Sequence, residues 1–270
     1  MKATAWLGVG LLLLVGLAGV LTGLLPEAWL PYDVVADVSP DQAGLAPTAG
    51  HWLGTDHLGR DVAWRLLLAT RAFVGPGLLA CLLASVIGVG AGAISGYLGG
   101  PASALVRYLS TVTASIPRFV LVLLAIAING NSTWLIGAVA GLAYSPAVAE
   151  AVFGRIDSLK RADFVLAAQA HGLSPARILL YHLLWVNCRR MVGRHALNLF
   201  GYLLLLETTL SYIGGFGVME PQPSWGNMLA FEFGYRTANI WGVWAPAVAI
   251  WLTIFCCGLV SEALAERRRA

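Results

Sequence analysis

The chain has 270 residues, 58% of them hydrophobic and only 11% charged. A soluble domain carries about 25% charged residues, so this composition excludes one and points to an all-α, polytopic membrane protein. The net charge of +3 is too small for a nucleic-acid partner, and the 31 glycines suit close helix–helix approach in lipid.

Six apolar runs are predicted to span the membrane, at residues 5–25, 73–97, 105–128, 134–151, 196–213 and 240–259. Each is near the ~20 residues that cross a ~30 Å hydrocarbon core as helix. Helix is required because backbone groups in lipid must pair within their own segment. The first run has a basic start at Lys2. It exceeds the about 7–15 apolar residues of a signal peptide and lacks an A-x-A site, so it reads as an uncleaved span.

Residues 26–70 follow, rich in Pro, Asp and Gly, with turn signals at Pro31, Pro40 and Pro47. That composition argues against a stable fold of its own. In the third span Pro117 is predicted to kink the helix, and Arg118 beside it to snorkel towards the inner surface.

Residues 155–187, RIDSLKRADFVLAAQAHGLSPARILLYHLLWVN, interrupt the apolar pattern with basic and polar side chains. Phe164, Val165, Ala168 and His171 recur at helical spacing and share a face. Gly172 is a helix terminator, and Ser174-Pro175 starts a second short helix, with Ser as cap and Pro in the first turn. The small residues Ala167, Ala168 and Ala170 suit a projection that fits a groove. Two readings stand open on these residues: a docking surface for a cytoplasmic partner, or an amphipathic helix on the lipid surface.

Glu207 is an acid inside the fifth span, where ionisable groups face a cavity or a partner. Residues 214–239 hold Pro221, Pro223 and the aromatics Trp225, Phe231, Phe233 and Tyr235. Such a cluster is either an aromatic belt at the lipid–water boundary or a lip facing a substrate-delivery protein.

With the N-terminus inside, twelve of the 17 Lys and Arg fall on inner segments and four (Arg60, Arg65, Arg71, Arg236) on outer ones. This excess predicts cytoplasmic N- and C-termini. His51 and His57 are imidazoles of the kind nickel accepts, but they stand six residues apart with no adjacent third ligand, so a metal role is left unassigned. Cys81, Cys188, Cys256 and Cys257 form no C-x-x-C pair and read as buried apolar thiols. No G-x-x-x-x-G-K-[ST] loop and no Gly-Lys pair occurs, so ATP hydrolysis belongs on another polypeptide.

Several motifs carry a resemblance. A-A-x-x-x-G at residues 167–172, followed by I-L-x-x-H-L-L, resembles the cytoplasmic "EAA" loop of ATP-binding-cassette (ABC) importer permeases. H-W-L-G-T-D-H-L-G-R-D at residues 51–61 resembles the signature of their dipeptide, oligopeptide and nickel subgroup, in its C-type subunit. Ser115-Ile116-Pro117, the L-S-Y-I-G run at 210–214 and the P-S-W-G-N-M-L run at 223–229 match as well, so the resemblance covers residues 29–264. Together with the W-L-P-Y-D run at 29–33, the outer motif is most similar to the nickel or metal-chelate branch.

The resemblance implies a type I ABC importer permease fold with a cytoplasmic coupling helix. It implies a second permease subunit, two cytoplasmic ATPase subunits and an extracytoplasmic substrate-binding protein. No cofactor is expected on this chain, since ATP and Mg belong to the ATPases. The coupling residues would be Ala167, Ala168 and Gly172, with Asp163, Phe164 and Ser174 beside them. The pore or gate candidates are Glu207, Trp225, Asn227 and Pro117. The expected units are a first transmembrane helix (1–25), an extracytoplasmic segment (26–70), a permease core (71–264) that includes the coupling loop (155–195), and a tail (265–270). The expected cargo is nickel or a nickel chelate, with short peptides as the alternative. A non-transporting membrane anchor or regulator is the reading of another class.

Departures from the family pattern are specific. Leu166 stands where the motif's glutamate is usual, and Trp185 where a proline is. Thr111 or Thr113 takes the place of an aspartate after Arg107. Residues 262–269 replace an acidic–aromatic C-terminal run.

Overall fold

A computed structural model of the protein describes residues 3–24, 38–235 and 239–266. The 29–33 run and tail residues 267–270 lie outside the described residues. The described chain is helix and loop, with one isolated bridge between Thr55 and Asp61.

Helix α1 (Ala3–Leu24) leaves Leu7, Leu13, Leu14 and Leu17 exposed, which suits a helix bathed in lipid. The short α2 (Val62–Leu68) begins at Asp61, whose carboxylate accepts from the Trp64 amide at 2.8 Å. That is an N-cap, satisfying one of the orphan donors of the first turn. Helix α3 (Arg71–Leu98) follows, then α4 (Gly100–Ala114) and α5 (Arg118–Asn129).

The expected third span is broken rather than kinked. α4 and α5 meet at 78°. Pro117 has no amide to donate and disfavours helical backbone at Ile116, so the ladder stops there. Pro117 then serves as the N-cap of α5.

Helix α6 (Thr133–Leu159) runs parallel to α3, Pro76 lying by Gly137, Ala80 by Gly141 and Gly96 by Ile156, and among the described residues this is the most extensive helix pair. Glycine permits the closeness. A Cβ on Gly88 would sit 2.6 Å from Val148 Cβ and 2.7 Å from the Ser145 carbonyl oxygen. Gly92 and Gly96 repeat the contact one turn apart against Ala149 and Ile156. In lipid, helices associate through such close packing rather than through water exclusion.

Helix α7 (Asp163–Ala170) stands outside the bundle. After it the chain is helical without a break from Pro175 to Ile213, 39 residues. It comprises a first turn α8 (Pro175–Arg177), a π-wound stretch Ile178–Cys188 and α9 (Arg189–Ile213). The polar segment expected over 155–195 is therefore mostly the ends of two membrane helices, and the part outside them narrows to residues 160–174. Helix α10 (Trp225–Tyr235) lies in the loop before α11 (Trp241–Glu266), which packs on α9 and α1.

Among the described residues five helices are long and apolar enough to cross a membrane, and the bent α4–α5 pair brings the number to as many as six. One buried cluster, with Ala84, Val122, Val152, Leu183 and Leu203, knits α3, α5, α6 and α9. A second, around Phe73, Leu204, Trp225 and Met228, closes the opposite end.

Candidate functional site

Helix α3 has 28 residues, about 42 Å at 1.5 Å per residue. The two features singled out by sequence lie at its two ends. At its far end, Lys160 donates to the Gly96 carbonyl at 3.1 Å, which ties the entrance of the α7 loop to the last turns of α3.

The α7 projection is a built element. The Leu173 amide donates to Ala168 O at 3.1 Å and the Gly172 amide to Gln169 O at 2.9 Å. With Gly172 at φ 75°, this is a Schellman stop. Ser174 then caps the next helix, its hydroxyl accepting from the Arg177 amide at 3.4 Å. Asp163 lies in the first turn of α7, where a carboxylate complements the helix dipole.

Val165 is buried, and Ala168 and Leu173 are packed beside it against the core cluster. Phe164, Leu166, Ala167, Ala170 and His171 are exposed. The small residues thus divide: Ala167 and Ala170 face away from the bundle, while Ala168 faces into it. Phe164 and Val165 divide in the same way. The uncovered side of α7 carries Phe164, Leu166, Ala167 and Ala170, with Asp163 and His171 among them.

At the near end of α3, the 51–61 motif folds over the bundle. Residues 38–70 of the segment expected to lack a stable fold of its own are closely hydrogen-bonded onto their neighbours. Asp56 accepts through Oδ1 from the Leu58 and Arg60 amides at 2.9 and 2.8 Å, and through Oδ2 from Arg60 Nε at 2.8 Å. Arg65 Nε lies 3.3 Å from the same Oδ2. Both arginines reach Glu220: Arg60 Nη1 at 2.6 Å and Arg65 Nη2 at 2.9 Å. Burial works against the Arg60 charge, but the hydrogen bonds and charges of Glu220 and Asp56 outweigh it and hold its pKa above the ordinary value. Gly59 has φ 83°, and a Cβ there would run into the Ser39 carbonyl. Asn239 Nδ2 donates to Leu53 O at 2.8 Å and to Thr55 O at 3.0 Å, pinning the motif to the entrance of α11.

The two motif histidines have separate carboxylate partners. His51 Nδ1 meets Asp61 at 2.8 Å and His57 Nδ1 meets Glu232 at 3.0 Å. Asp56, His57 and Glu232 place ligand atoms within 4.8 Å of one another. The donor set does not suit a metal ion, because both Asp56 oxygens are already engaged by backbone amides and two guanidinium groups. The cavity they border measures about 10 Å³, room for one water at most.

Three of the four pore or gate candidates come together, buried, beneath this cap. Glu207 accepts from the Ser211 hydroxyl at 2.6 Å, and that hydroxyl accepts from the Val218 amide at 2.9 Å. Asn227 donates to Val218 O at 3.2 Å and Gln222 O at 2.8 Å. Trp225 packs its ring 4.7 Å from Phe73 and donates from Nε1 to Leu66 O at 3.0 Å. They hold the 214–224 loop and α10 onto α9 and α3. Pro117 lies apart from them, exposed, at the α4–α5 break. Sequence reasoning did not pair Glu220, Glu232 or Asn239 with the motif. A hint existed in the outer arginines, which need anions once buried.

Residues 88–270 match the family described as binding-protein-dependent transport system inner membrane component. The nickel transport system permease protein of Escherichia coli (strain K12) is 28% identical, over 91% of this chain and 88% of that protein. A dipeptide transport system permease protein of Alkalihalophilus pseudofirmus is 27% identical, over 86% and 75%. An oligopeptide transport system permease protein of Haemophilus influenzae is 29% identical, over 94% and 81%. Among solved structures, a chain of an inward-facing methionine ABC transporter superposes with a TM-score of 0.53 at 16% identity. That match covers 74% of this chain and 96% of the other, and it shows a shared fold.

Proposed function

We propose, for this chain that belongs to the family of binding-protein-dependent transport system inner membrane components, that it forms half of an importer's translocation path for nickel or a nickel chelate. The chain is a multi-pass inner-membrane permease subunit of an ABC importer, a transport component and not an enzyme. Nickel is put forward on the likeness of the outer motif to that branch, and short peptides are the alternative that the dipeptide and oligopeptide relatives support.

The observation that carries the coupling role is α7. A Schellman stop and a serine cap hold a short helix outside the bundle, with Phe164, Leu166, Ala167 and Ala170 uncovered. An exposed apolar face on a rigid projection is what a partner's groove recognises. In this reading an ATPase subunit seats α7, a second ATPase seats the equivalent helix of a second permease, and closure of the ATPase pair moves both helices as rigid bodies. The termini lie in the cytoplasm, and the 51–61 cap faces the substrate-binding protein.

Uptake of labelled nickel into cells carrying the complete transporter, with and without this chain and with excess dipeptide, tests the reading. Nickel uptake that requires the chain and ignores dipeptide supports it. Loss of dipeptide uptake alone assigns the chain to peptides, and no dependence of either leaves a membrane anchor.

A further inference from the structure

Arg118 begins α5 at the break of the split span. A guanidinium keeps its proton at any physiological pH and presents five N–H donors. Its charge rests on the Tyr144 ring, 4.7 Å from the centroid. A cation–π contact offsets charge but uses none of the donors. Among the described residues Arg118 makes no hydrogen bond and no ion pair, and its side chain is half-buried.

The surroundings are polar at a depth where apolar packing is the rule. Tyr144 sits near the middle of α6 and His195 near the middle of the Pro175–Ile213 helix. Their rings meet edge-on at 6.2 Å. Tyr202 of α9 packs against the same buried cluster as Tyr144. His195 Nδ1 is buried without a hydrogen-bond partner among the described residues. A fixed cation with idle donors, two phenols and an imidazole at mid-span is costly to keep and marks a path for polar cargo. Broken membrane helices commonly present such sites at the break.

We infer that Arg118, with Tyr144, Tyr202 and His195 around it, is a carboxylate-recognising station within the translocation path. The planar fork of a guanidinium matches a carboxylate in two-point contact. Both cargo classes under consideration carry this group, a peptide at its C-terminus and a metal chelate on its organic ligand. The inference rests on the importer reading above. It replaces the snorkelling role expected for Arg118, since the guanidinium lies on a mid-span tyrosine.

The test uses the complete transporter in proteoliposomes. Probes come in matched pairs: labelled Ala-Ala and its C-terminal amide, and labelled nickel supplied with citrate or with imidazole. Arg118→Gln should lower the ratio of carboxylate-bearing to carboxylate-free uptake by about tenfold for the transported pair, and Arg118→Lys should restore part of it. The pair affected tells peptide from chelate. An unchanged ratio in Arg118→Gln overturns the inference, whether uptake is normal or falls equally for both probes. So does loss of the second permease on purification of that variant, which would make Arg118 a subunit contact. If no probe depends on the chain at all, the importer reading itself falls.

Discussion

Arg65 and Glu220 meet at 2.9 Å across 155 residues of sequence, and Arg65 is 1% exposed. Asp56 shares the guanidinium, at 3.3 Å from its Nε. Asp56 and Arg60 of the H-W-L-G-T-D-H-L-G-R-D motif, with Arg65 of α2, are thus one half of a charge cluster whose other half, Glu220, lies in the loop before α10.

Arg65→Met removes the cation and leaves two acids facing each other beside Arg60. Breaking a buried pair by deleting one partner costs about 3–5 kcal/mol. The expected outcome is a large fall in thermal stability of the purified transporter in detergent, partly recovered when Glu220→Gln is added. A variant as stable as wild type would show that the cluster is dispensable to the fold.

Ala167 and Ala168 separate two effects that the sequence merges. Ala167→Asp places a charge on the outer face of α7 and should abolish co-purification of the ATPase and cut uptake at least about tenfold, with the chain still folded. Ala168→Asp puts the charge against Val165 and Leu173 and should lower stability of the isolated chain first. Normal ATPase capture by Ala167→Asp removes the docking role of that face.

Gly172→Leu imposes a side chain on a residue at φ 75°. A left-handed conformation costs a non-glycine residue about 1–2 kcal/mol, so the turn relaxes and the orientation of α7 loosens. ATPase turnover should persist while uptake per ATP falls. Unaltered coupling would show that the stop tolerates a side chain.

Glu207→Leu deletes the acceptor for the Ser211 hydroxyl, which in turn holds the Val218 amide. Stranding a buried donor costs about 1–3 kcal/mol. Glu207→Gln keeps an acceptor oxygen and should be milder. The ordering Leu worse than Gln, read as yield and melting temperature of the purified complex, is the expected result; equal behaviour would mean that the carboxylate is incidental.

The helical spans were legible because twenty-residue apolar runs admit one backbone solution in lipid. The stop at Gly172 and the cap at Ser174 were legible because local backbone chemistry decides them. Which face of α7 turns inward was not, since Val165 and Ala168 recur with Phe164 and His171 at the same spacing and only contact with the core chooses between them. The length of the fifth span was hidden by Arg189, Arg190 and Arg194, whose charges break the hydropathy without breaking the helix. Trp225 reads as an interfacial aromatic until Phe73 and the Leu66 carbonyl are brought to it. Glu220, Glu232 and Asn239 complete the cap from 150 residues or more away in the chain, a distance at which composition carries no pairing information.

The meshing of Gly88, Gly92 and Gly96 with α6 sets how force crosses the membrane in this subunit. Each turn of one helix fills a notch in the other, so sliding by half a turn would drive a carbonyl or a β-carbon into solid packing. The pair behaves as a beam and can tilt but not shear. A pull on Lys160, which grips the far end of α3, arrives at Arg71 as a change of angle rather than of length. A disulfide engineered between α3 and α6 should leave transport running, whereas one that staples α4 to α5 across their 78° elbow should stop it.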